Sequence, residues 1–261
     1  MNLSLEGKNA LICGSTQGIG LATAIELASL GATCILLARN EQSLEEAINK
    51  LDDSLGQQHS FEVADFNDIE DVRKKVIAIT SVQNIHILVN NTGGPAAGPI
   101  ITAEEELFLK AFSMHVLCNH ILTKAVVPGM KEDGYGRIIN IISTSVKIPL
   151  PNLGVSNTIR GAVASWAKTM ANELGQFNIT VNNILPGLTS TGRLDSLINT
   201  TASNRGIGKQ EVADEMTGSI PARRFGTASE IAAVAAFLAA PAASYVNGVS
   251  IQVDGGRTGS I

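Results

Sequence analysis

Aromatic and cationic side chains are scarce in this 261-residue chain. Phe, Trp and Tyr together make up 4%, too few for the platforms on which nucleic-acid bases stack. Lys and Arg number 19 against 24 Asp and Glu, for a net charge of −5. Lys74-Lys75 and Arg223-Arg224 are pairs rather than clusters. Nucleic acid and anionic membranes reward a basic face, so neither is expected as a partner. Cysteine is limited to Cys13, Cys34 and Cys118, an odd number set far apart. No Cys-x-x-Cys or Cys/His ligand spacing occurs. Buried free thiols in a reducing compartment follow, with no metal. Long apolar runs are missing too. The most apolar stretch, residues 231–243, is broken by Pro241 and too short to span a bilayer. The first eight residues hold no cationic stretch leading into an apolar one. A soluble cytoplasmic protein is the expectation.

Hydrophobic residues reach 44% and charged ones 16%, ample for a sizeable core and unlike a disordered chain. Short β-branched runs at 10–13, 33–37, 61–63, 85–89, 137–142, 179–184 and 249–253 read as seven strands. Their near-continuous apolar character suits strands buried on both faces, as in a parallel sheet. Between them lie amphipathic stretches. In the clearest, Val163, Trp166, Ala167, Met170, Ala171 and Leu174 recur at three- and four-residue spacing and paint one apolar stripe. Strand–helix alternation throughout predicts a single α/β domain with a doubly wound, mainly parallel seven-stranded sheet and helices on both faces. In such a sheet the loops at the carboxyl ends of the strands bind ligands. Residues 188–224, rich in Ser, Thr, Asn and Gly, form the least regular segment and suit a mobile lid over a substrate pocket.

Directly after the first strand comes Gly14-Ser15-Thr16-Gln17-Gly18-Ile19-Gly20, running into a helix at 21–30. Glycines let the backbone turn sharply and approach a ligand closely. The helix start offers unpaired amides and a positive dipole end to a pyrophosphate. The spacing is GxxxGxG rather than the general GxGxxG, yet its place between an apolar strand and a helix makes it specific.

These residues resemble the glycine turn of the short-chain dehydrogenases/reductases, and the resemblance runs over nearly the whole chain. It implies a Rossmann-type fold and a bound nicotinamide dinucleotide. Gly14, Ser15, Gln17, Gly18, Ile19 and Gly20 match the turn itself. Asp65 matches the aspartate that meets the adenine ring. Asn90-Asn91-Thr92-Gly93 is similar to the family's turn after the fourth strand, with Asn90 steadying the sheet and Thr92 and Gly93 along the cofactor. Pro186-Gly187, with Thr189 and Thr191, resembles the segment that holds the nicotinamide end. Val253-Asp254-Gly255-Gly256 resembles the family's ending. Taken singly, Asp65 or Asn90 reads equally well as a turn cap.

The second strand ends Leu36-Leu37-Ala38-Arg39-Asn40, with no carboxylate before Glu41. The acidic residue that grips the 2′-hydroxyl of NAD is therefore absent. Arg39 suits a 2′-phosphate, helped by Ser15 and Asn40, unless it is a solvated arginine opening a helix. NADP(H) is favoured, with NAD(H) as the alternative.

The family's proton chemistry uses an Asn-Ser-Tyr-Lys set. The serine is present as Ser143, at the end of residues 136–143. Registering 160–174 on the family's helix puts the lysine position at Arg160, which would bind the cofactor ribose, and the tyrosine position at Ser156. The asparagine position holds His115. Tyr135 and Tyr245, the only tyrosines, fall elsewhere. A phenol can be brought toward neutrality by an adjacent cation; an alkyl hydroxyl cannot. Arginine keeps the charge but does not titrate. His115, a type that titrates near neutrality, could replace the missing acid or be a structural helix histidine. Alternatively, Ser143 and Ser156 orient a carbonyl and pass a proton from water.

The resemblance, strongest to 3-oxoacyl-acyl-carrier-protein reductases, implies hydride transfer between nicotinamide and a small carbonyl or alcohol, acyl thioesters included. It also implies a homotetramer. A subset of such sequences is similar in carrying SNxxR where YxxxK is expected, as in residues 156–160. The alternative is a catalytically impaired NADP(H)-binding sensor or structural subunit.

Overall fold

Alternate residues of the strands face two separate cores, which is why their sequence is apolar almost without interruption. Ile12, Leu36, Ile87 and Ile139 belong to one core, Leu11, Ile35, Leu88 and Ile138 to the other. The computed structural model describes residues 1–260. Its strands are β1 (Asn9–Cys13), β2 (Thr33–Ala38), β3 (Ser60–Val63), β4 (Ile87–Asn90), β5 (Gly136–Ile141), β6 (Ile179–Pro186) and β7 (Ser250–Val253). They form one sheet in the order β3-β2-β1-β4-β5-β6-β7, with every pairing parallel. All seven expected strands are there, in a single Rossmann-type domain.

The first core is closed by α1 (Gly18–Ser29), α2 (Glu41–Ile48) and α9 (Ala228–Ala239). The second is closed by α3 (Ile69–Val82), α5 (Cys118–Glu132) and α6 (Gly154–Leu174). Val163 is fully enclosed and Trp166 packs against the core. All three cysteines are free and buried. No described helix is long and apolar enough to cross a membrane.

Helix α4 (Glu105–Phe112) runs into α5 through a π-helical turn, Ser113–Leu117. Such turns redirect side chains within a helix and recur at functional sites. His115 sits in this one.

A chain of amides crosses the sheet. Asn90 Nδ2 donates to Asn140 Oδ1 at 2.8 Å, Asn140 Nδ2 to Asn183 Oδ1 at 2.9 Å, and Asn183 Nδ2 to Ser250 Oγ at 3.1 Å. These residues are register partners on β4, β5, β6 and β7. Buried amides demand partners, so the chain fixes strand register in the half of the sheet that carries the candidate site.

The segment 188–224 departs from the expectation of irregularity. It holds α7 (Gly192–Arg205) and α8 (Lys209–Gly218). Ser, Thr and Asn are mediocre helix formers, but Leu194, Ala202 and Val212 are buried anchors. Arg205 also clasps Glu215 across the two helices, Nη2 to Oε1 at 2.9 Å.

Candidate active site

Strand order reverses at β1, which lies between β2 and β4, and in open α/β sheets ligands bind above the carboxyl ends at such a point. After Cys13 the backbone takes positive φ at Gly14 (+59°) and Gly18 (+55°). A Cβ on Gly14 would come within 2.5 Å of the Asn91 carbonyl oxygen. One on Gly18 would lie 3.3 Å from Thr191 Cγ2. The turn is thus closely approached from both sides. Asn91 Nδ2 donates to the carbonyls of Cys13 at 3.2 Å and Gly14 at 3.1 Å, tying the turn after β4 to the turn after β1. Gly20 is buried, Gln17 is exposed, and Ile19 packs on the first core.

Helix α1 begins without a side-chain cap and has no acidic residue in its first turn. By contrast α2, α3 and α9 are capped by Asn40, Asp68 and Thr227. Amides in a first helical turn have no partner within the helix. Those of α1 meet no side chain from the cap position either. A glycine cradle facing such amides fits a pyrophosphate.

One assignment around the adenosine end changes, and a second residue gains a structural role beside the expected one. Ser15 is fully enclosed, and its Oγ accepts from Leu37 N at 3.1 Å. It pins the turn to β2 instead of opening toward a 2′-phosphate. Asn40 Oδ1 accepts from Ser43 N at 2.8 Å as the cap of α2. Arg39 is exposed at the end of β2. Asp65 Oδ1 accepts from Asn67 N at 2.9 Å and Nδ2 at 2.8 Å. Those bonds hold its carboxyl below the ordinary range, and the positive charge of Arg39 adds to the effect.

Past β6, Gly187 N donates to Val253 O at 3.0 Å, and a Cβ there would meet Asp254 Cβ at 2.6 Å. Pro186 ends β6. Thr189 Oγ1 donates to Gly187 O and Thr191 Oγ1 to Thr189 O, both at 3.2 Å.

Two of the proton-handling positions, His115 and Arg160, reach Thr92 in the turn after β4. His115 is 2% exposed. Its Nδ1 lies 2.7 Å from Thr92 Oγ1, and its Nε2 is buried without a partner. Arg160, one turn beyond the buried Ser156 on α6, donates from Nη1 to Ile141 O at 3.2 Å and from Nη2 to Thr92 O at 3.4 Å. Ser143, half-buried just after β5, accepts from Ser145 N at 3.1 Å. Burial first, then the positive charges of Arg160 and Arg193, pushes the His115 pKa down to about 3. That corrects the expectation of a ring titrating near neutrality: the imidazole is neutral across the ordinary range. Burial and Arg193 lower Arg160 only to about 10, so it stays charged.

Sequence reasoning missed Arg193. It lies in α7, donating from Nη1 to Gly94 O and from Nη2 to Pro95 O, both at 3.3 Å. Nothing in the motif pattern marks it; only the packing of α7 against residues 94–95 does. Asn91 was legible as part of the Asn-Asn-Thr-Gly turn, though its hold on Gly14 was not. Neither tyrosine enters the cluster. The Tyr135 hydroxyl donates to Ala239 O at 2.6 Å inside the first core, and Tyr245 is fully exposed.

Residues 14–258 match the family model described as enoyl-(acyl carrier protein) reductase. The chain is 32% identical over 259 residues to gluconate 5-dehydrogenase of Gluconobacter oxydans (strain 621H), covering 99% of this chain and 97% of that one. It is 33% identical over 254 residues to dehydrogenase/reductase SDR family member 4 of Sus scrofa, covering 97% and 88% respectively. Among solved structures it is similar to L-sorbose reductase from Gluconobacter frateurii complexed with NADPH and L-sorbose. There the TM-score is 0.93, identity is 31% and both chains are covered completely.

Proposed function

The chain belongs to the short-chain dehydrogenase/reductase family of NAD(P)-dependent oxidoreductases, and from that premise we propose that it reduces a small carbonyl compound, or oxidises the matching alcohol, using NADP(H). The observation that carries the reading is the glycine cradle. Gly14 lies so close to the Asn91 backbone that only a side-chain-free residue fits, and Gly18 takes a positive φ close against Thr191; the two lead into a helix start that no side chain caps.

Arg39 favours NADP(H): it is the exposed cation at the end of β2, where a carboxylate would favour NAD(H). The relative solved with NADPH supports the same choice. Asp65 borders the adenosine end. Asn90 and Asn91 hold the β4 end in register, while Thr92, Gly93, Pro186, Gly187, Thr189 and Thr191 line the path toward the reacting end. The nicotinamide, when bound, supplies or takes the hydride. Ser143 and Ser156 orient the carbonyl oxygen, and Arg160 adds a fixed positive charge for the ribose hydroxyls and the developing oxyanion. With the Thr92 hydroxyl donating to Nδ1, the neutral His115 ring presents its Nε2 proton as a hydrogen-bond donor. The proton that completes the alcohol comes from water, because no group in the cluster is a strong acid near neutrality. Helices α7 and α8 serve as the lid. Exposed Leu107, Leu109, Phe112 and Leu117 suit burial in a homotetramer.

The test follows NADPH oxidation with a panel of ketones, ketoses, keto acids and 3-oxoacyl thioesters. Turnover of any one supports the proposal. NADPH binding without turnover of any would overturn it in favour of a cofactor-binding sensor or structural subunit.

A further inference from the structure

Two arginines flank the same few ångströms of backbone beside the bonded pair of His115 and Thr92. A Cβ added to Gly94 would stand 3.2 Å from Arg193 Nη2 and 3.4 Å from Arg160 Nη2. Their present partners are all neutral carbonyls: Ile141 and Thr92 for Arg160, Gly94 and Pro95 for Arg193. Among the described residues, neither forms a salt bridge, whereas Arg73, Arg205 and Arg224 each do. Arg160 is only 8% exposed. A guanidinium this deeply buried without a counter-ion is costly, and a second cation beside it raises the cost. The nearest titratable group of the cluster, His115, stays neutral and offsets neither charge.

Resting on the reading of this cleft as the hydride-transfer site, we propose that Arg160 and Arg193 form a carboxylate clamp, and that the substrate is a keto acid or hydroxy acid whose carboxylate lies close to the reacting carbon. Carboxylate oxygens match guanidinium donors in charge and geometry, and such charge-assisted bonds are about twice as strong as neutral ones. The clamp joins two parts of the fold. Arg160 is fixed on α6 beside the end of β5, whereas Arg193 travels with α7, the first helix of the lid segment. Arg193 already ties α7 to residues 94–95, and an anion between the two arginines would add charge-assisted bonds that hold α7 there.

The competing use of Arg193 is the cofactor pyrophosphate, since Thr191, two residues earlier, lies against Gly18. Matched probes separate the two. Calorimetry is run on the protein saturated with NADP+, using 4-oxopentanoate and its methyl ester, together with NADPH-oxidation kinetics on the same pair. Saturation with NADP+ is established first; no dinucleotide binding would sink the functional reading itself and is distinguishable from failure of the clamp. The expected result is that the acid binds and is turned over at least about 10-fold better than the ester. Arg193→Gln should abolish that preference, lowering acid affinity about 10- to 100-fold while leaving dinucleotide affinity within about 2-fold. Arg193→Lys should restore part of it. Equal binding of acid and ester in the wild type would overturn the clamp. So would an Arg193→Gln protein that loses dinucleotide affinity and keeps the acid preference.

Discussion

Thr92 Oγ1 and His115 Nδ1 stand 2.7 Å apart, joining the turn after β4 to the π-helical turn between α4 and α5. The contact sets the orientation of a ring that burial and, after it, two neighbouring arginines keep uncharged.

The ring's depressed pKa makes folding stability depend on pH in a definite direction. Unfolded, His115 takes up a proton below about 6.5; folded, only below about 3. Between those values the unfolded state binds more protons, so stability present above pH 6.5 is lost as pH falls. From pH 7 to pH 5 this side chain should remove about 2 kcal/mol. Urea unfolding of wild type and His115→Gln at both pH values checks it: the variant should lose about that much less. Nitrogen NMR should find the ring neutral at pH 5.

Substituting Gly18 should damage binding more than folding. Gly18→Ala places a side chain at φ +55° and 3.3 Å from Thr191, costing about 1–2 kcal/mol in stability. NADPH affinity should fall at least about 10-fold, because the added methyl stands in the pyrophosphate cradle. Unchanged affinity by fluorescence titration would place the cofactor elsewhere.

Arg39→Ala should cost NADPH about 10- to 100-fold in affinity and leave NADH nearly unaffected. Equal losses for both would mean that Arg39 does not read the 2′-phosphate.

The amide chain across the sheet should be stiff to truncation. Asn140→Ala strands Asn90 Nδ2 and Asn183 Oδ1 in the interior, at a cost of about 2–4 kcal/mol. Ser250→Ala, at the end of the chain, should cost about 1 kcal/mol. Chemical denaturation of both variants ranks them.

Burial of the strands on both faces and the glycine turn were legible in the residues, because strands so enclosed must be apolar and a cradle for phosphates must lack side chains. The absence of a tyrosine at position 156 was equally plain. Less legible were features set by packing. The helices of 192–218 were hidden because Ser, Thr and Asn there describe a solvated face, while Leu194 and Val212 supply the anchorage. The fate of Ser15 depends on its burial against β2. The His115 pKa depends first on burial and then on Arg160 and Arg193, which come from separate helices, α6 and α7, so its neutrality is a property of the fold.

The proposed chemistry requires a dinucleotide on the opening turn of α1, and titration calorimetry with NADPH and NADH tests that directly. The expected result is saturable heat at one site per chain, with NADPH the tighter ligand by at least about 10-fold and the heat sharply reduced in Gly18→Ala. Absence of heat with either ligand at millimolar concentration would contradict the account.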